Sequence, residues 1–104
     1  MTTTVTWPKK DPAEKVWATY DYSEALEGGE TIQSAAIAVT LVQGTDATPQ
    51  AILDGAAVLL AGGRVMQRIQ GGVAGASYRV RCAATTSTGR ILVVSGVVPV
   101  EVLA

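Results

Sequence analysis

The stretch Gly75–Val100, GASYRVRCAATTSTGRILVVSGVVPV, predicts two long β-strands joined by a short polar turn. Its first half alternates with the period of a strand, which places on one face Tyr78, Val80, Cys82 and Ala84 and on the other Arg79, Arg81 and Ala83. Thr85–Arg90 interrupts the alternation, and Gly89 can adopt the positive φ of a tight hairpin. The apolar run Ile91–Val94 is suited to burial on both faces or to a subunit contact. Because so long a hairpin is not stable alone in water, the rest of the chain must supply a second sheet.

A strand is also predicted over Glu14–Ser23, with one face formed by Val16, Ala18, Tyr20 and Tyr22. Ala, Glu and Lys near its start favour a helix, but the β-favouring segment that follows favours the strand. Either Trp17 or Tyr20 could form the aromatic centre of the core. We expect a short helical turn to follow over Ser23–Leu26, capped by Ser23.

Three further strands are expected over Thr31–Val42, Gln50–Leu53 and Arg64–Gln70. The last of these would bury Val65, Gln67 and Ile69. The pair Asp54-Gly55 is a turn signal, and the apolar run Ala56–Ala61 fits either a strand or a short helix.

The N-terminal residues 1–12 are expected to form a polar arm, followed by a single β-sandwich domain over residues 13–104. Pro8 and Pro12 resist regular structure, and the pair Lys9-Lys10 is expected to be solvated. Trp7 could dock onto a neighbouring protein or pack on its own domain, and the sequence leaves both open.

The composition indicates one domain whose surface is poor in charge. Of 104 residues only 16% are charged, and the net charge is −1. We therefore expect part of the surface to be covered by a partner or by other copies, the alternative being a thin surface of Thr, Gln and Ser that is simply solvated. We do not expect nucleic acid to be bound. No apolar run reaches the ~20 residues of a membrane span, and no signal-peptide core is present. We expect a chain that stays in the cytoplasm of its producing cell unless an assembly carries it out.

Residues for catalysis are scarce. The chain has no histidine and one cysteine, Cys82, which we expect to be a small buried hydrophobe. A solvated acidic turn at Glu27–Glu30 is preferred over a calcium site, because no recognised loop spacing is present. The glycine pairs open no predicted helix and so predict no phosphate site. We expect no enzymatic activity, no metal and no cofactor.

About seven short strands with turns between them predict an all-β fold, an antiparallel β-sandwich of the immunoglobulin or fibronectin-III type. Tyr78, at the start of a long strand, stands where such domains often carry a tyrosine corner.

The chain also resembles small tailed-bacteriophage virion proteins of the fibre-tail adaptor type. The resemblance rests on the order and spacing of segments along nearly the whole chain: Lys10-Asp11-Pro12, Tyr20–Ser23, Gly29–Ser34, Gly71-Gly72, Gly75–Val80 and Thr85–Arg90. It departs from the family at Ala35–Ile37, where a Trp is common, and in a more apolar last strand. The resemblance implies an immunoglobulin-like sandwich that binds other virion proteins and has no catalytic residues.

From this resemblance we expect a virion structural protein, a joint between tail, connector or fibre proteins, present in several copies and assembled in the cytoplasm of the bacterial host. The expected contact residues lie in the arm, the hairpin tip and the last strand: Trp7, Thr86, Arg90, Ile91 and Val93. The alternative is a fibronectin-III-like binding module for a glycan or a cell-surface ligand. Such a site needs an exposed aromatic platform, and few aromatic residues remain once the core is filled.

Overall fold

The computed structural model describes residues 2–103, with side chains from Thr6 onward. Met1 and Ala104, at the two ends of the expected arm and domain, lie outside the described residues. The elements in chain order are β1 (Thr2–Thr6), β2 (Val16–Asp21), β3 (Ile32–Gln43), a 3₁₀ helix (Pro49–Ile52), β4 (Leu53–Leu60), β5 (Arg64–Ile69), β6 (Ser77–Thr86) and β7 (Ile91–Pro99).

The strands form two sheets, with the order β1-β7-β6-β3 in one and β2-β5-β4 in the other. All pairs are antiparallel except β1 with β7, which is parallel. The groups β2-β5-β4 and β3-β6-β7 correspond to the B-E-D and C-F-G strands of immunoglobulin sandwiches, with the first strand added to the second group. The predicted all-β sandwich is confirmed.

The core lies between the sheets and follows the alternation expected from the sequence. On β6 every second side chain is buried, from Tyr78 to Thr86. On β2 the buried positions are Ala18 and Tyr20, so that Tyr20 is the aromatic centre and Trp17 faces outward. The predicted inner face of β5 is also confirmed, including a buried Gln67 whose amide donates to the carbonyl oxygen of Gly55.

The tyrosine hydroxyls are all satisfied inside the fold. Tyr78 Oη accepts the Val73 N–H at 2.8 Å and donates to the Asp46 carboxylate at 2.8 Å. The bond with Val73, in the turn before β6, forms the predicted tyrosine corner. Tyr20 on β2 and Tyr22, which directly follows that strand, instead extend to the opposite sheet, where they donate to backbone carbonyls of β6.

Two local predictions between β3 and β5 were wrong. Gln50–Leu53 is not a brief strand: a 3₁₀ helix covers Pro49–Ile52, and β4 begins at Leu53. Asp54-Gly55 is not a turn, because β4 continues through it to Leu60. The pairing with β5 shifts register between Asp54 and Val58, and Gly55 at φ 77° accommodates the irregularity. The ambiguous run Ala56–Ala61 is therefore mainly strand.

The N-terminal segment that we expected to be an arm continues the sheet through the backbone of β1. Beyond it, the Trp7 N–H donates to Val97 O at 3.0 Å, and the Trp7 ring packs edge-on against Tyr20, with 5.5 Å between centroids. Of the two possibilities left open for Trp7, the structure shows packing on its own domain.

Lys10 corrects another expectation, since it is 2% exposed and not solvated. Its Nζ donates to the carbonyl oxygens of Asp11 at 2.9 Å and Gly71 at 2.8 Å. Burial lowers the Lys10 pKa, although the nearby carboxylates of Glu14 and Asp11 oppose that shift. Lys10 therefore fastens the N-terminal segment to the turn after β5.

Candidate interaction surfaces

The hairpin tip between β6 and β7 is closed by its own hydrogen bonds. The Thr86 N–H donates to Arg90 O at 2.8 Å, and the Gly89 N–H donates to Thr86 O at 3.0 Å. Gly89 has φ 89°, as the hairpin prediction required. The Thr86 hydroxyl accepts the Arg90 N–H at 3.1 Å, and Thr86 is fully buried. Thr86 therefore holds the tip together, and its part in an interface stays a prediction.

Arg90 is paired within the chain to Glu30, in the loop before β3. Its Nε donates to Glu30 Oε2 at 3.0 Å, its Nη2 donates to Oε1, and Nη2 also donates to Ala25 O at 2.8 Å. The Thr88 hydroxyl gives Glu30 a further bond. These donors, Arg90 first, hold the pKa of Glu30 far below its usual range. The predicted solvated acidic turn is thus wrong for Glu30, which is buried.

Ile91 and Val93 lie together on the outer face of the four-stranded sheet. Ile91 is 66% exposed, whereas Val93 is half-buried. Across the β6–β7 ladder Ile91 faces Thr85 and Val93 faces Ala83, and both of these partners have small side chains. The outer positions of β3 continue this surface with Ser34, Ala36, Ala38 and Thr40. The last strand therefore buries one face, while its other face is exposed at Ile91, half-buried at Val93 and Val97, and buried at Ser95.

The same outer face carries two arginines and no acidic residue. Arg79 and Arg81 are the only charged residues in the sequences of β3, β6 and β7. Both are exposed, and neither forms an ion pair with any residue between 2 and 103. We name this surface the outer face; it brings together two of the five predicted contact residues, Ile91 and Val93. Thr86 is buried, whereas Trp7 and Arg90 are half-buried and make contacts within the chain, so that a part in an interface stays a prediction for all three.

Sequence reasoning missed one exposed aromatic residue. Trp17 is 46% exposed, and the guanidinium of Arg68 lies 4.7 Å from its ring centroid. Trp17 also lines a cleft of about 290 Å³ together with Trp7 and the aliphatic part of β2. The alternation of β2 could have identified it, because Tyr20 and Trp17 fall on opposite faces.

Cys82 is buried, as predicted, and burial raises its thiol pKa. Within residues 2–103 no three acidic, cysteine or histidine side chains come together as a metal site. The described part of the chain contains no helix with the length and apolarity of a membrane span.

Comparison with known proteins identifies the family. No curated protein matches the chain in a sequence search. The family model described as podophage GP4 fiber-tail adaptor protein gp77 matches residues 10–99. The match starts at Lys10, runs through every segment on which the resemblance rests, and ends at the last residue of β7. The chain therefore belongs to the podophage fibre-tail adaptor family, whose role is structural and not enzymatic.

Proposed function

We propose that this chain is a joint in the phage virion, present in several copies, that binds neighbouring tail, connector or fibre proteins through the outer face. It acts by burying surface and uses no cofactor. Nucleic acid and membrane have no part in this role. Family membership supports an adaptor role, and the outer face is the observation that connects the role with particular residues.

The outer face has the composition of a contact surface. Small side chains opposite Ile91 and Val93 allow close approach of a partner, and the exposed Ile91, at the hairpin end of β7, would be stabilised by burial. Burying a single isoleucine contributes about 1.5–3 kcal/mol, enough to matter in an interface.

Charge adds specificity to the proposed contact. Arg79 and Arg81 have no partner carboxylate within the described structure, so that an acidic surface on the neighbour would complement them. Opposite charges orient the encounter and set the register, while the apolar positions supply the burial. The partner that fits this face is therefore a protein surface with acidic and small apolar residues.

The test is incorporation into particles by phage that encode variants of the chain. Ile91→Lys places a charge on the outer face, whereas the control Thr19→Lys places the same charge on the exposed face of β2 in the other sheet. We expect both variants to fold, and we expect Ile91→Lys alone to be lost from purified virions, as measured by quantitative mass spectrometry. Normal incorporation of Ile91→Lys would overturn the proposed contact.

A second candidate function, glycan binding, is favoured by Trp17 and its cleft. Sugar rings stack on exposed indole faces, although Arg68 already covers part of this ring. Glycan-array binding by the purified chain that disappears in Trp17→Ala would support it. An array without hits would leave the adaptor role as the better account.

A further inference from the structure

The third strand is an edge strand of the four-stranded sheet, and parts of the 3₁₀ helix and of β4 lie close to it. β3 is last in the order β1-β7-β6-β3, and its twelve residues, IQSAAIAVTLVQ, include no charge, proline or glycine. Folded proteins usually protect an edge of this length with lysines, prolines or bulges, since its free backbone groups can pair with another chain. In β3, register shifts occur only near the ends, at Ile32/Ser34 and Leu41/Gln43.

The register identifies the backbone groups that face away from the sheet. Gln50 Nε2 donates to Val39 O at 3.1 Å, so the Val39 carbonyl points away from β6. In an antiparallel ladder such groups alternate, so that Ala35 and Ile37 share the orientation of Val39. The intervening residues Ala36 and Ala38 face Ala83 and Arg81 and bond to β6.

Only half of this edge is open. The 3₁₀ helix lies beside the second half of β3 and contributes the Gln50 side chain that covers Val39 O. No loop backbone between residues 2 and 103, and no side chain between Thr6 and Leu103, makes such a bond to Ala35 or Ile37. The available segment is therefore about Ala35–Ile37, and a twelve-residue β3 from a second copy would collide with the 3₁₀ helix if it paired along its full length.

A cleft adjoins the open half of the edge. It has a volume of about 490 Å³ and lies where β3 begins, between the loop before β3 and the turn after β4. Its apolar lining comes from Leu26, Ile32, Leu59 and Leu60. Leu59 is 40% exposed, so that an apolar side chain of a partner could displace water from it.

The rim of the cleft carries excess negative charge. Glu30 is neutralised by Arg90, and Asp21 lies opposite Arg64 in the β2–β5 ladder. Glu27 lines the cleft and has a 77% exposed side chain with only a 3.8 Å contact to Arg90. Glu24 follows the lining residue Ser23 in the chain and has no ion pair among the described residues. A partner with a basic residue at this point would complement the rim.

We propose that the Ala35–Ile37 edge binds an extended segment of a partner protein by strand addition, with an apolar side chain of that segment in the adjoining cleft and a basic residue facing Glu24 and Glu27. Backbone bonds would supply affinity, and the cleft and its rim would supply specificity. That the partner is a virion protein rests on the proposed adaptor role. The location of the site rests on the geometry of β3.

The experiment measures amide hydrogen exchange by NMR on the full chain, with a short synthetic peptide of alternating valine and threonine that carries two lysines at one end. Without peptide, the amides of Ala35 and Ile37 should exchange much faster than those of Ala36 and Ala38. Saturating peptide should slow exchange at Ala35 and Ile37 by about tenfold or more, because they gain hydrogen-bond partners.

Two controls distinguish backbone pairing from non-specific binding of the peptide. The variant Ala35→Pro removes an outward N–H, whereas Ala35→Val keeps it; we expect about fivefold weaker binding for the first only. The same peptide with N-methylated backbone should fail to bind the unaltered chain, which keeps the test valid if Ala35→Pro does not fold.

Unchanged exchange at Ala35 and Ile37, or equal binding of the N-methylated peptide, would overturn the strand-addition site. If Ile91→Lys were still lost from virions in that case, the adaptor role would stand and only the edge site would be abandoned. Substitution of both rim carboxylates, Glu24→Gln and Glu27→Gln, should weaken binding and reduce its salt dependence. Unchanged affinity and salt dependence would contradict the proposed basic residue.

Discussion

The hydroxyl of Tyr20 on β2 donates to the carbonyl oxygen of Val80 on β6 at 3.1 Å and so bridges the two sheets. In antibody domains a disulfide joins the corresponding strands, two residues after the corner tyrosine. Val80 stands two residues after Tyr78, whose hydroxyl makes the corner. A buried phenol thus occupies the place of the disulfide, and Tyr22, which donates to Cys82 O at 2.8 Å, repeats the bridge.

Removing either bridging hydroxyl should destabilise the fold without changing its shape. Tyr20→Phe and Tyr22→Phe each leave a carbonyl oxygen without its side-chain partner, and we expect each to lower the free energy of unfolding by about 1 kcal/mol. Urea denaturation followed by circular dichroism measures the change. Trp17→Phe, on the exposed face of β2, is the control and should have a smaller effect. Wild-type stability in both tyrosine variants would show that the bridges are energetically neutral.

The three tyrosines should not ionise near their ordinary pKa of 10.0 while the chain is folded. Burial raises the pKa of Tyr20, Tyr22 and Tyr78. When folding raises the pKa of an acidic group, the contribution of that group to stability is complete at pH values below its pKa in the unfolded chain. The contribution is lost as the pH rises above that unfolded-chain pKa. We therefore expect phenolate absorbance at 295 nm to appear together with alkaline unfolding, above pH 10. A separate ionisation of folded protein near pH 10 would contradict this.

Acid should remove the stabilisation supplied by Glu30. Its depressed pKa means that the contribution is complete above the ordinary value of 4.5 and is lost as the pH falls below it. Glu30→Gln should therefore be less stable than wild type at pH 7, with a difference that shrinks below pH 4.5. Thermal melts across this range measure it. Glu27→Gln, with its exposed carboxylate 3.8 Å from Arg90, is the control and should cost less.

Adding one methyl group under Trp7 should disturb the junction of the N-terminal segment with the sheet. A Cβ on Gly96 would lie 2.5 Å from the indole ring, so that the ring must move. We expect Gly96→Ala to lower the free energy of unfolding by about 1–3 kcal/mol, as overpacking does. Tryptophan fluorescence should shift to longer wavelength as Trp7 becomes hydrated. Gly28→Ala, with nothing within 4 Å, is the matched control.

The sequence predicted the strands in which buried and exposed side chains alternate along the chain. β6 shows it most clearly, because its buried and exposed residues alternate without interruption and a glycine turn follows. The inner face of β2 was predictable for the same reason. The β4 region was not, because its apolar run lacks alternation, and the Asp-Gly pair that signals a turn there sits in a bulge.

Contacts between distant residues account for most of what the sequence could not predict. Arg90 and Glu30 lie sixty residues apart, and each alone looks like a solvated surface charge. Lys10 is buried because Gly71, sixty-one residues away, supplies a carbonyl oxygen. A weak signal existed for Trp7: Gly96 interrupts a valine-rich strand, and a glycine there often marks a close approach.

The parallel ladder between β1 and β7 has a consequence for how the chain acquires its structure during synthesis. Thr2 pairs with Val93, so that β1 can join the sheet only after β7, some ninety residues later in the chain, has been synthesised. Such long-range pairing slows folding, because a large loop must close before the contact forms. The sheet is completed late, and until then β7 has an unoccupied side to which the N-terminal strand of another nascent chain could bind. When many copies are translated from one messenger RNA, this pairing between chains would compete with correct folding. Faster pairing of β1 with β7 of its own chain would suppress it.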